Sequence, residues 1–270
     1  MTDLLPPELW WKIISYVPAP SLCQVSLTCK YFWIITQDPH LWSHVKLKRD
    51  MVEKEGLQTM LDLPRLVKVQ NIDLSFLDLT HEEEKNIRRV VQRFRRIILR
   101  YCQLTHGQLT QIMKMLQLKS DHTLDKLDLD SVSLSRVSDD DLRKALVNIR
   151  DVDLNNTELS LSQVNNLLDH ITYSNIQHLT LSGQDLSHLS ANMLSLPVCQ
   201  VISLDVSNAS LTEEQISTLL CSSIWSETIE ELDLTGADLG DVSSQLMMDS
   251  VSCLTCLREG FKINFVFMKG

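Results

Sequence analysis

The chain has 270 residues, 44% of them hydrophobic and 22% charged, with a formal net charge of −10, the balance of a folded globular protein with material for one large or two ordinary domains. Such acidity argues against nucleic-acid binding by the chain as a whole, because phosphate contacts need a basic surface, and it favours basic partners. No run of about 18 uncharged apolar residues is present, so no membrane span is expected, and Asp3 and Glu8 flank the first apolar residues, so no secretory signal is expected either.

In chain order, residues 4 to 42 read as short helices joined by turns at Pro6-Pro7 and Pro18-Ala19-Pro20. Leu9, Trp10, Ile13, Ile14 and Val17 recur at helical spacing, and Leu22, Val25, Leu27, Phe32, Trp33, Ile34, Ile35, Leu41 and Trp42 follow. A segment this small buries too little surface to stand alone, so part of its apolar area must cover something else. The stretches Leu5-Pro6-Pro7-Glu8, Ile13-Ile14-Ser15-Tyr16-Val17-Pro18, Leu22, Val25-Ser26, Cys29-Lys30, Phe32 and Asp38-Pro39-His40-Leu41-Trp42 together resemble an F-box from end to end. Val17 stands for a usual Leu and Phe32 for a commoner Trp, and both swaps keep apolar bulk. The resemblance implies that Leu5, Pro6, Leu9, Ile13, Leu22, Val25 and Cys29 include the contacts to a Skp-type adaptor of a cullin-RING ubiquitin ligase. For Ile13, Val25 and Cys29 a simple core role is the alternative. The expected boundary puts this module at 1–44 and the remainder at 45–270, and the absence of a Gly-, Ser- or Pro-rich spacer between Trp42 and Val45 predicts that the two are held rigidly.

From Val45 onward one pattern repeats: two apolar residues two apart, an apolar residue five further on, then usually Ser or Thr. After a weak copy at Val45, Leu47 and Val52, strong copies start at Ile72, Ile97, Leu127, Val152, Leu179, Leu204 and Leu232, separated by 25 to 30 residues. Phe261, Ile263, Phe265 and Phe267 alternate like one last strand. Behind each strand-like piece the period changes, as in Ile87, Val90, Val91 and Phe94, which predicts a helix with one apolar stripe. The Ser or Thr is expected at the helix N-cap, and Thr212 with Gln215 forms a capping box. No such unit can bury a core alone, so the units must stack as a solenoid. The pattern resembles leucine-rich repeats of the longer, helix-bearing kind over residues 45 to 270. That implies an α/β fold, a short all-helical F-box followed by parallel strands on a concave side and helices on a convex side. The position that often holds Asn or Cys in that family is filled here by Leu77, Cys102, Val132, Thr157, Gln184, Ala209 and Ala237, of which only Cys102 fits.

Between and around the strand leucines, the outward positions carry eight acidic and three basic residues. Asp73, Arg96, Arg100, Asp128, Asp130, Asp151, Asp153, Asp205 and Asp233 are the candidate substrate contacts. The acidic stripe suits Lys or Arg of a protein substrate, and Arg96 with Arg100 suits a phosphate or carboxylate, which arginine grips bidentately. Against this stands the plain reading that Asp between strand leucines is a solvated choice. Arg88, Arg89, Arg93 and Arg95 are expected on a solvated helix face rather than in an RNA site.

Seven cysteines, an odd number, scattered through helices and strands, are read as reduced thiols of a cytoplasmic or nuclear protein. The lone Cys253-x-x-Cys256 lacks the further ligands a zinc site needs. No nucleophile elbow, Walker loop, dinucleotide fingerprint or metalloprotease helix is present, so neither enzyme activity nor a cofactor is expected. Two functions compete: a substrate-recognition subunit of an SCF-type ligase, and a non-degradative scaffold or inhibitor that wraps a basic partner, with the F-box as an N-terminal cap.

Overall fold

The computed structural model describes residues 5–17, 19–42, 44–47, 52, 56–59, 61–62, 69–119, 124–198, 200–225, 228–237 and 262–264. Proline-led turns open the chain. Helix α1 (Pro7–Ser15) starts with Pro7 in its first turn, where the missing amide has no carbonyl to bond anyway. Helices α2 (Ala19–Ser26) and α3 (Lys30–Ile35) and a 3-10 turn (Pro39–Trp42) follow. Ile14, Leu22 and Trp42 are buried in the same apolar cluster as Val45 and Leu47, so these helices share their core with what comes next. The Trp42 indole N–H donates to the Thr36 carbonyl at 2.8 Å, which satisfies its one polar group.

Every repeat then begins with a three-residue strand: β1 (His44–Lys46), β2 (Asn71–Asp73), β3 (Arg96–Ile98), β4 (Lys126–Asp128), β5 (Asp151–Asp153), β6 (His178–Thr180), β7 (Ser203–Asp205), β8 (Glu231–Asp233) and β9 (Lys262–Asn264). They pair in chain order as one parallel sheet of nine strands. The register never slips: Val45, Ile72, Ile97, Leu127, Val152, Leu179, Leu204, Leu232 and Ile263 form one row of partners. The described members of that row face the core, because a strand alternates its sides and a one-residue slip would expose them all. Helices α4 (Glu84–Arg93), α5 (His106–Gln117), α6 (Asp139–Leu146), α7 (Leu161–Asp169), α8 (Ala191–Val198) and α9 (Glu213–Trp225) cross back between strands and pack on their neighbours. The result is an N-terminal helical module followed by an α/β repeat solenoid. Of the expected terminal strand, Phe261, Phe265 and Phe267 lie outside the described residues, as do Cys253 and Cys256.

Two devices turn the chain out of each strand. The residue two after the second strand apolar position has a left-handed backbone in all seven strong repeats: Phe76, Tyr101, Ser131, Asn156, Gly183, Asn208 and Gly236. In the first six its N–H donates to a carbonyl of the next repeat, as Phe76 does to Arg100 at 2.8 Å and Tyr101 to Asp130 at 2.9 Å. The Asp between the two strand apolar residues accepts from the backbone two residues on: Ser75 N–H to Asp73 Oδ1 at 2.9 Å, and likewise at Asp128, Asp153, Asp205 and Asp233. The position expected to hold Asn or Cys is served by more than Cys102. Cys102 Sγ donates to Leu74 O at 2.9 Å, Gln184 Nε2 makes the equivalent bond to Leu154 O at 2.9 Å, and Thr157 bonds that carbonyl from its own turn at 2.8 Å.

The repeats alternate between two kinds. Thr105, Ser160 and Thr212 cap their helices as expected, each in a reciprocal pair with Gln108, Gln163 or Gln215. Thr80, Ser135 and Ser187 do not cap. Thr80 and Ser187 are held instead by Asp78 and Asp185, and their helices start later, at Glu84, Asp139 and Ala191. The three glutamines join the two kinds. Their Nε2 groups reach back to two carbonyls of the preceding late-start turn: Leu79 and Glu82, Leu134 and Val137, Leu186 and Leu189, all at 2.7 to 2.9 Å.

Candidate functional site

Two surfaces present chemistry that folding does not consume. The first lies on the N-terminal helices. Leu9 and Ile13 stand one turn apart on α1 and are 46% and 47% exposed, and Tyr16, Leu27, Trp33 and Ile34 are exposed as well. This is a large apolar area for so small a module, and uncovered patches of that kind mark contact surfaces. Internally the module is well tied: Trp10 meets Phe32 edge to face at 5.1 Å, and the Trp11 indole donates to Asp38 at 2.8 Å. Of the residues singled out for adaptor contact, Pro6, Leu9, Ile13 and Cys29 are exposed, and Leu5 and Val25 are half-buried. Leu22 is a correction: at 1% exposure it is a core residue and cannot offer its side chain to a partner.

Residues 2–48 match the F-box-like family. No curated protein matches the chain significantly. The matched span takes in β1, so the F-box-like domain and the first strand of the sheet overlap in sequence as they join in core. Among the exposed residues of this domain are Leu9, Ile13, Tyr16, Leu27, Trp33 and Ile34, with Glu8, Lys12 and Lys30 between them, a mixture that suits docking on a partner's apolar groove with a polar rim.

The second surface is the outer side of the sheet, where the sequence places its charged candidates. Their roles are unequal. Asp128 is 0% exposed, and Arg100 covers it, donating through Nε to Asp128 at 2.6 Å and through Nη2 to Asp153 at 3.2 Å. Burial pushes the Asp128 carboxyl up to about 6, with the Asp153 charge adding to the effect. Asp153 is raised as well, chiefly by burial. Asp73 pairs with Lys46 at 3.1 Å, and Asp151 with Lys126 at 3.0 Å. Asp130 is buried and accepts from the Ser131 hydroxyl at 2.8 Å. The free acidic stripe is therefore a correction: five of its members close turns, and several are already paired. Nor do Arg96 and Arg100 form a phosphate clamp, since Arg100 is committed to two carboxylates. Arg96 is exposed and makes no ion pair among the described residues. On the helix side, Arg89 pairs with Asp62, Arg93 donates to Leu61 O at 2.7 Å, and Arg95 bonds Asp125 at 3.1 Å, so three of the four arginines are bonded within the fold, while Arg88 is exposed.

Sequence reasoning passed over Phe76 and Tyr101. They are 60% and 51% exposed and stack with ring centres 5.1 Å apart and planes 5° from parallel. The signal was present: both fall on the left-handed turn position that later repeats fill with Ser, Asn or Gly. Among the described residues no cluster of His, Cys, Asp and Glu could hold a metal ion, and no described helix is long and apolar enough to cross a membrane.

Proposed function

We propose that the chain is the substrate-recognition subunit of an SCF-type cullin-RING ubiquitin ligase, with the F-box-like domain docking a Skp-type adaptor and the outer face of the repeats holding a protein substrate. The carrying observation is the F-box-like match together with the uncovered stripe of Leu9 and Ile13 on that domain. In this reading the chain performs no chemistry of its own. It raises the local concentration of a substrate lysine near a conjugating enzyme held elsewhere in the complex. The leucine-rich-repeat resemblance supports a binding role for the sheet face, and the surplus of carboxylates there supports a substrate with a basic segment. One observation favours the scaffold alternative: Ile14, Leu22 and Trp42 are buried with the first repeat, so the F-box-like domain also serves as an end cap.

A pull-down of the full chain with purified Skp-type adaptor decides between the two. Leu9→Glu and Ile13→Glu are exposed changes that leave the core alone, and each is expected to weaken adaptor binding at least tenfold, the loss typical of a central contact residue. A folded wild type that does not hold the adaptor would transfer the case to the scaffold reading.

A further inference from the structure

The unusual turn residues Phe76 and Tyr101 point to where a partner binds. A left-handed backbone costs little for Gly or Asn and more for a bulky side chain. The later repeats follow that rule with Ser131, Asn156, Gly183, Asn208 and Gly236, whereas the first two place aromatic rings there, at φ of 66° and 54°. Neither ring fills the core, since both are more than half exposed. Their mutual stacking offsets part of the backbone strain, but smaller residues meet the same turn without strain, and a strained, exposed aromatic pair is a mark of function.

The surroundings define what the pair can take. Lys46 Nζ sits 5.8 Å from the centre of the Phe76 ring, and Phe76 stacks on Tyr101, so cation and rings build a ladder along the repeats. The next rung is Ser131, too short to cover the outer face of Tyr101. Just beyond Tyr101, one guanidinium, Arg100, serves the carboxylates of both Asp128 and Asp153, and Asp130 stands beside them. Negative charge is left over beside an open aromatic face. A planar cation satisfies both, and a guanidinium does so better than an ammonium, because it stacks on a ring and pairs with a carboxylate in the same pose.

We propose that the Phe76–Tyr101 ledge is the docking point for an arginine side chain on an extended segment of the protein partner, stacked on Tyr101 above Ser131 and paired toward the partly exposed Asp153, with the buried Asp130 adding to the negative field. This rests on the reading that the sheet face binds a protein, and it names the chemistry of that protein. A lysine would satisfy the charge but lose the stacking.

Random peptides of about 12 residues, long enough to lie extended across several repeats, displayed on phage and selected against the full chain, supply the probe. Recovered binders are expected to share an arginine whose replacement by citrulline or lysine weakens binding roughly tenfold. Phe76→Asn with Tyr101→Asn should abolish that binding without lowering the thermal midpoint, since Asn is at ease in a left-handed turn. No recovered binder, binders without arginine, or a double variant that binds undiminished or melts several degrees lower would each overturn the proposal. Binders that ignore the double variant but are lost with Arg96→Ala would move the contact elsewhere on the face and leave the substrate-binding reading standing. The adaptor pull-down reads the other half of the function independently.

Discussion

At the scale of single residues, the aspartates between the strand apolar positions show why charge alone misleads. From the sequence they form a row of carboxylates open to a partner, yet each spends one oxygen on the backbone N–H two residues ahead. An Asx-type bond of this kind is local, so the preference for Asp was legible; its use was not, because the same spacing also suits a solvated carboxylate. Asp128 carries the further cost of burial and is raised to about 6. A carboxyl raised in the folded state favours folding on acidification: its ionisation penalty is absent below the unfolded value near 3.8, grows through the interval and is complete above about 6. The melting temperature of Asp128→Asn, measured against wild type, should therefore shift in the variant's favour as pH rises from about 4.5 to about 7.5. A difference independent of pH would show that Asp128 does not titrate in this range. Cys102 makes a second residue-scale case. Burial pushes its thiol up to about 12, and the Sγ is bonded to Leu74 O, whereas Cys29 and Cys221 are exposed. Alkylation of the native protein followed by peptide mass spectrometry should modify Cys29 and Cys221 and spare Cys102, because reaction requires an accessible thiolate.

At the scale of elements, the helix stripes and strand pairs were legible because burial imposes their periods, 3.6 and 2, on the apolar residues. Helix starts were legible only in half of the repeats. Thr105, Ser160 and Thr212 meet a glutamine three residues on and cap, while Thr80, Ser135 and Ser187 meet Glu83, Ser138 and Ser190 and do not. The discriminating residue is the glutamine, whose second task lies in the previous repeat and leaves no trace at local spacing. Each Nε2 donates to two carbonyls of the previous repeat, five of the six bonds buried, so the clamp joins repeats in pairs. Gln163→Ala removes the bonds to Leu134 and Val137 and half of a capping box, a loss of about 3 kcal/mol. Gln92→Ala, on an exposed position, should stay within about 0.5 kcal/mol. Chemical denaturation of the two variants measures both. Equal midpoints would mean that the clamp carbonyls find other donors.

At the scale of the whole molecule, the question is whether the F-box-like domain and the repeats behave as one body. The sequence raised it by placing Val45 directly after Trp42 with no spacer, and it read the stacking of repeats from a period that no single unit could satisfy alone. What it could not show is how far the junction is buried, since that depends on side chains meeting across modules. In the structure α2 touches β1, and Trp42, at 3% exposure, lies in the same cluster as Val45, Leu47 and Ile72. Trp42 closes the helical module three positions before Val45 and is buried in the core the two share. Trp42→Ala should cost about 3–5 kcal/mol, a large part of the stability of a typical domain. The distribution of that loss is the sharper test. If the modules share one core, hydrogen exchange should accelerate together in α2, β1 and β2 and leave β5 and β6 protected, because a solenoid passes destabilisation mainly to its nearest neighbours. Acceleration confined to α1, α2 and α3 would show that the F-box-like domain opens by itself. A ligase geometry that depends on a rigid path from adaptor to substrate would then have to be sought in another contact.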